Sequence, residues 1–170
     1  MIRVSLSLEG EIIIDAALAG IESRARDMRP AWPAVLQAFR VAVGRAFATE
    51  GSSTGAPWAP LAKSTQAERV RLGFGAAHPI LHRTGKLERA LTIGEGSYAS
   101  TGATSLALRL SSEVGYFKYH QSASPRTHLP RRAPVLLTAD DRTQILNPIR
   151  LYLSGRALGG VRRPDWKDRG

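Results

Sequence analysis

Polar and apolar positions recur with different periods along this chain, and each change of period marks an element. Residues 1–8 alternate, Ile2, Val4, Leu6 and Leu8 against Arg3, Ser5 and Ser7, the pattern of a half-buried strand. From Ile12 the step lengthens: Ile14, Leu18, Ile21, Ala25 and Met28 predict an amphipathic helix that ends before Pro30. Trp32-Pro33 opens a second helix with Val35 or Leu36, Phe39, Val43 and Phe47 inward and Gly51 as its C-terminal cap. An antiparallel helix pair is the economical arrangement; the alternative is that the apolar stripe faces a neighbouring subunit.

Beyond Gly51 the pattern breaks. Gly55-Ala56-Pro57-Trp58-Ala59-Pro60-Leu61 is too rigid for helix, because each Pro fixes its own φ and extends the residue before it. Thr65-Gln66-Ala67-Glu68 has capping-box spacing for a short charged helix ending at Gly73. Thr84 caps another short helix, with Leu87 and Leu91 on one face. Period two returns from about Ala90 to Ser112, with Leu106, Leu108 and Leu110 on one face and a hairpin turn placed at Ser100–Thr104 around Gly102. Such a hairpin is expected to protrude, as an arm toward a next subunit. Val135-Leu136-Leu137 reads as a short strand. Thr138-Ala139-Asp140-Asp141 then opens a final helix with Ile145, Ile149, Tyr152 and Leu153 inward and Pro148 as a kink. These elements predict an α+β fold: N-terminal helices packed on a small antiparallel β-sheet with a protruding hairpin, closed by a C-terminal helix. A single domain is expected over 1–154, with 155–170 a basic tail that is loose in the isolated chain.

Composition narrows the function. A chain of 170 residues with 43% apolar content suits one domain with an ordinary core. No apolar run reaches the ~18–20 residues of a membrane helix, and the N-terminus shows no signal-peptide pattern. Zero Cys excludes disulfides, thiol catalysis and Cys-ligated zinc, and points to assembly in a cytoplasm. The net charge of +10 is uneven: residues 1–50 carry six basic and six acidic side chains, whereas 51–130 and 131–170 each carry nine against four. Such an excess suits nucleic acid, an acidic protein partner or plain solubility, and no zinc finger, RNP motif or basic heptad is present.

Candidate chemistry is sparse. Four His (78, 82, 120 and 128) cluster in the middle of the chain, but Pro79 breaks the helical spacing of the first two and no acid lies near them in sequence. Thr84-Gly85-Lys86 lacks the earlier Gly and the following Ser/Thr of a phosphate loop, since Ile80 and Leu87 stand there. Gly94-Glu95-Gly96-Ser97 lacks the second Gly of a nucleophile elbow, and Asp140-Asp141 suits a helix start better than a catalytic pair. No catalytic, cofactor or metal residue is assigned, and the chain is expected not to be an enzyme. Tyr116, Phe117 and Tyr119, interleaved with Lys118 and His120, suit base stacking or an apolar contact in a core or interface, the second being favoured. Trp58 has two readings as well: a plug into a neighbouring groove, or packing beneath its own loop.

Four segments in order carry a resemblance. Trp58-Ala59-Pro60-Leu61, Leu81-His82-Arg83-Thr84-Gly85-Lys86-Leu87, Tyr119-His120-Gln121 and Pro130-Arg131-Arg132 follow the linear pattern of the phage virion-morphogenesis proteins, the Mu-like tail-completion proteins of the head–tail joint. The match in order and spacing covers about residues 30–153. Ser122-Ala123-Ser124-Pro125 departs from it, where the family places a Gly behind the His-Gln pair. The resemblance implies a structural virion protein, a tail terminator or neck ring, most plausibly hexameric, that caps the tail and docks the filled head. Its partners would be copies of itself, tail tube, tail sheath and head connector proteins, with genome DNA passing through the lumen unread and no membrane. Its contact residues would be Trp58, Pro60, Leu61, Thr84, Gly85, Leu87, Tyr119, His120, Gln121, Pro130 and Arg132. It would sit in the virion, after assembly in the host cytoplasm. A basic nucleic-acid-binding accessory protein is the alternative, and a small hydrolase with an unrecognised site the third reading.

Overall fold

The computed structural model describes residues 11–75, 78–94, 98–124 and 129–158, so the expected strand over 1–8 and most of the expected tail lie outside the described residues. Helix α1 runs Glu11–Arg26, α2 Trp32–Ala48, α3 Lys63–Arg71, α4 Lys86–Thr92, α5 Phe117–Gln121 and α6 Ala139–Leu153. Strands β1 (Ala99–Ala103) and β2 (Leu108–Ser112) form a two-stranded antiparallel sheet. The α+β class follows, with helices at both ends of a small sheet.

Helix α2 is the axis of the fold. It starts with Pro33 in the first turn, where a missing N–H costs nothing. It closes in a Schellman arrangement: Gly51 N–H bonds the Ala46 carbonyl (2.8 Å) and Glu50 N–H the Phe47 carbonyl (3.2 Å). The expected Gly51 stop therefore holds, but the first left-handed residue is Glu50 (φ 48), with Gly51 (φ 82) behind it. One face of α2 gives Val43 and Phe47 to a core with Trp58, Ile80, Leu87, Ala90, Leu91 and Val114. Its N-terminal end gives Trp32 and Val35 to a second cluster, onto which Leu108, Ile145, Ile149, Tyr152, Leu153 and Leu158 pack. Leu87 is 0% exposed, so its burial alone contributes roughly 1.5–3 kcal/mol.

The expected α1–α2 hairpin does not form; α2 packs mainly on α6 and α4. Helix α1 is held at its C-terminal end, where Arg24 Nε donates to the Leu153 carbonyl (2.9 Å) and Tyr152 Oη to the Asp27 carbonyl (2.8 Å). Helix α3 starts at Lys63, two residues before the expected cap, because the Ala62 carbonyl accepts the Gln66 N–H as soon as the Pro-stiffened segment ends. Gly85, at φ 66 and without side-chain help, replaces Thr84 as the N-cap of α4.

The hairpin turn lies later than expected, at Thr104–Ala107, while Gly102 sits inside β1 opposite Arg109. The Thr104 hydroxyl accepts from Ala107 N–H (3.0 Å), a local bond that Gly102 could not supply. The turn is tied to the start of α2 by Trp32 Nε1, which donates to the Thr104 carbonyl (2.8 Å), and to the α1–α2 connection by Met28 N–H, which donates to the Ser105 carbonyl (2.7 Å). Val135–Leu137 forms no strand. The Gln121 amide replaces a neighbouring strand, donating to the Val135 carbonyl (2.7 Å) and accepting its N–H (3.1 Å).

Candidate functional site: a basic cleft and an uncovered helix face

The rigidity of the Pro57–Pro60 segment lets it carry a buried side chain, Trp58, while presenting the carbonyls of Ala59 and Pro60 to Arg132. Trp58 inserts beneath its own loop, the second of its two readings, and is only 6% exposed. Its ring meets Phe47 edge-on at 5.3 Å, and its Nε1 reaches the Ala133 carbonyl at 3.3 Å. It lies so close to Gly51 that a Cβ there would come within 2.6 Å of the indole, which is why the chain needs glycine at that turn. Glu50 joins three segments, its carbonyl accepting the Trp58 N–H (2.8 Å) and its carboxylate the Ile80 N–H (2.7 Å). Sequence reading passed over Glu50; its place between a helix end and glycine was the only available signal.

Pro60 has no N–H, and the exposed carbonyls beside it are taken by Arg132. Its Nε donates to the Ala59 carbonyl (2.7 Å) and its Nη2 to the Pro60 carbonyl (2.9 Å). Arg69 of α3 acts similarly, its Nη1 bonding the His78 (3.1 Å) and Pro79 (3.0 Å) carbonyls. Arg132 and Arg69, 6% and 8% exposed as whole residues, line one cleft of about 520 Å³ together with Leu61, Leu81, Arg83, Thr84, Lys86, Tyr116 and His120. Burial, and then the neighbouring Arg69, draws the Arg132 pKa below its ordinary value. His120 is lowered likewise, by burial and then by Arg132, so it is neutral near pH 7. Its Nδ1 is buried with no hydrogen-bond partner among the described residues.

The structure thus brings Leu61, Thr84, His120 and Arg132 of the expected contact residues to one cleft. Gly85 and Leu87 lie behind it, buried, and Pro60 and Pro130 are exposed. Gln121 braces residue 135 from half-buried ground, and the Tyr119 ring carries Lys118 Nζ at 5.0 Å from its centre. Arg69, the buried residue of α3, was not foreseen; as one of two arginines in the last turn of a charged helix it gives no sign that it is the one turned inward. His78 donates from Nε2 to the His82 carbonyl (2.9 Å) and His82 pairs with Glu88, while His128 lies outside the described residues. No group of three or more His, Cys, Asp or Glu with metal-binding geometry occurs among the described residues.

A second feature lies on α1. Ile14, Leu18 and Ile21 share one face at helical spacing and are 54%, 57% and 41% exposed. An apolar groove of about 680 Å³ opens elsewhere, between α2, the hairpin and α6, with Trp32, Leu36, Phe39, Leu108, Leu110 and Ile145 in its walls. No helix among the described residues is long and apolar enough to cross a membrane.

Comparison with known proteins gives one finding. The model of the phage virion morphogenesis family matches residues 12–154. No curated protein and no solved structure matches the chain. That matched span runs from the first turn of α1 to the end of α6 and holds both features just described, so the chain belongs to the phage virion morphogenesis family.

Proposed function

We propose that this protein assembles into a ring at the head–tail joint, as a tail-completion or terminator protein, and works by shape and charge without bond chemistry. Family membership supports a role in virion structure or assembly. The observation that supports self-assembly is the uncovered α1 stripe: three large aliphatic side chains in a row, each more than two-fifths exposed, on a helix whose hydrogen bonds to the rest of the fold, among the described residues, lie at its C-terminal end. The groove between α2, the hairpin and α6 offers a second apolar surface of different shape. Two unlike surfaces on one chain permit head-to-tail contacts, which close into a ring when the rotation per subunit divides a full turn; a hexamer is the form we favour. Tail tube, sheath and connector proteins are the neighbours such a ring would meet, and its basic surface would face DNA phosphates without reading sequence.

Deletion of the gene in the parent phage or prophage tests the reading. Expected are separate filled heads and finished tails, joined again when the protein is supplied in trans. Normal joined virions from the deletion would sink it.

A further inference from the structure

We propose that the cleft beside the Trp58–Leu61 segment is a receptor for a carboxylate, an acidic side chain presented by another protein chain and held by Arg69 and Arg132. The ring reading would survive an empty cleft, so the two stand separately.

Arg69 and Arg132 are each more than nine-tenths buried as residues, yet neither guanidinium meets a carboxylate within ion-pair distance among the described residues. Buried cations without a counter-charge are costly, and the usual compensation is a paired anion. Among the described residues their bonds go to carbonyls and use part of each fork: Nη1 of Arg69, and Nε and Nη2 of Arg132. A guanidinium carries five N–H groups in a plane that suits a carboxylate in two-point contact. The carbonyl bonds thus fix the two forks in place while leaving donors over.

The surroundings suit the same ligand. Leu61 and Leu81 give apolar walls that strengthen a charge pair, and Lys86 and Arg83 add positive charge at the rim. Arg83 is partly offset by Glu68 at 3.9 Å, whereas Arg69 and Arg132 have no such offset among the described residues. His120, neutral with its Nδ1 unbonded, completes one wall. A volume of about 520 Å³ accepts one or two side chains. Duplex DNA fits poorly, since its phosphates lie on broad ridges that call for an open basic face rather than a recess floored by buried arginines.

The test is fluorescence anisotropy with a fluorescein-labelled hexaglutamate peptide against the full chain, its hexaglutamine counterpart as control. The R83Q/K86Q rim variant is compared with R109Q/R142Q, which removes the same charge from exposed sites remote from the cleft. Expected is a loss of about fivefold in affinity for the rim variant and little change for the remote one. R69K keeps the charge but not the fork, and is expected to weaken binding while its melting curve shows a folded protein. Equal losses in both charge variants, or equal binding of hexaglutamine, would overturn the assignment. A short DNA duplex that binds more tightly and is lost with the rim variant would give the cleft to phosphate instead. Removal of residues 159–170 that raises peptide affinity would make the occupant the chain's own tail, with its Asp165 and Asp168, and would equally end the partner reading.

Discussion

At the scale of single residues, Trp58 decides how the Pro-rich segment behaves. Its ring fills the space between Gly51, Phe47 and the Ala133 carbonyl, so truncation leaves a large cavity in the main core. Trp58→Ala is expected to cost about 3–5 kcal/mol in urea-induced unfolding. A change below about 1 kcal/mol would return the side chain to an interface role. The tryptophan and the Pro residues around it were legible in sequence as a rigid presentation loop, because Pro geometry is local. Which way the ring pointed was not legible, since that depends on a contact with Phe47 and a carbonyl 75 residues away. Arg132 illustrates the same limit: a Pro-Arg-Arg segment announces a basic loop, yet only the fold shows that this arginine turns inward while Arg131 stays exposed.

At the scale of elements, local signals succeeded where the first turn had its own hydrogen-bond chemistry. Thr138 caps α6 as expected, within a full capping box: its hydroxyl accepts the Asp141 N–H (3.1 Å) while the Asp141 carboxylate takes the Thr138 N–H (3.0 Å) and hydroxyl (2.7 Å). Burial raises the Asp141 pKa, but the Thr138 bonds and Arg45, at 3.3 Å, outweigh it and leave the carboxyl below its ordinary value of 3.8. The folded state therefore favours the ionised form, and this stability is present above 3.8 and lost as pH falls through the lower folded value. Asp141→Asn is expected to lower stability by about 1–2 kcal/mol at neutral pH. It should also shrink the difference between neutral and strongly acidic melting temperatures, and an acid limb identical to wild type would refute the assignment. The same kind of signal failed at Thr65 and Thr84. There the helix starts were set by the end of a Pro-stiffened segment and by a left-handed Gly85, so a hydroxyl at the right spacing had no vacancy to fill. Helix α1 was legible as an amphipathic helix, but periodicity reports a stripe and not what covers it.

At the scale of the whole molecule, that uncovered stripe separates folding from association. Replacing Ile14, Leu18 and Ile21 with Ser should leave the melting temperature of the isolated chain within a few degrees, because these positions contribute little buried area. The same change should abolish any higher species seen by analytical ultracentrifugation and fail to restore joined virions in trans. A triple variant that assembles normally would move the contact off α1.

The attachment of α1 by its C-terminal end, among the described residues, also has a geometric consequence. Sixteen residues of helix make a stiff rod about 24 Å long, pinned near Arg24 and Asp27. A swing of about ten degrees at that pivot carries the far tip about 4 Å, with no disturbance of the two clusters behind it. A lever of this kind would let identical copies close around circumferences that differ slightly, and so bridge a tube and a collar whose diameters do not match.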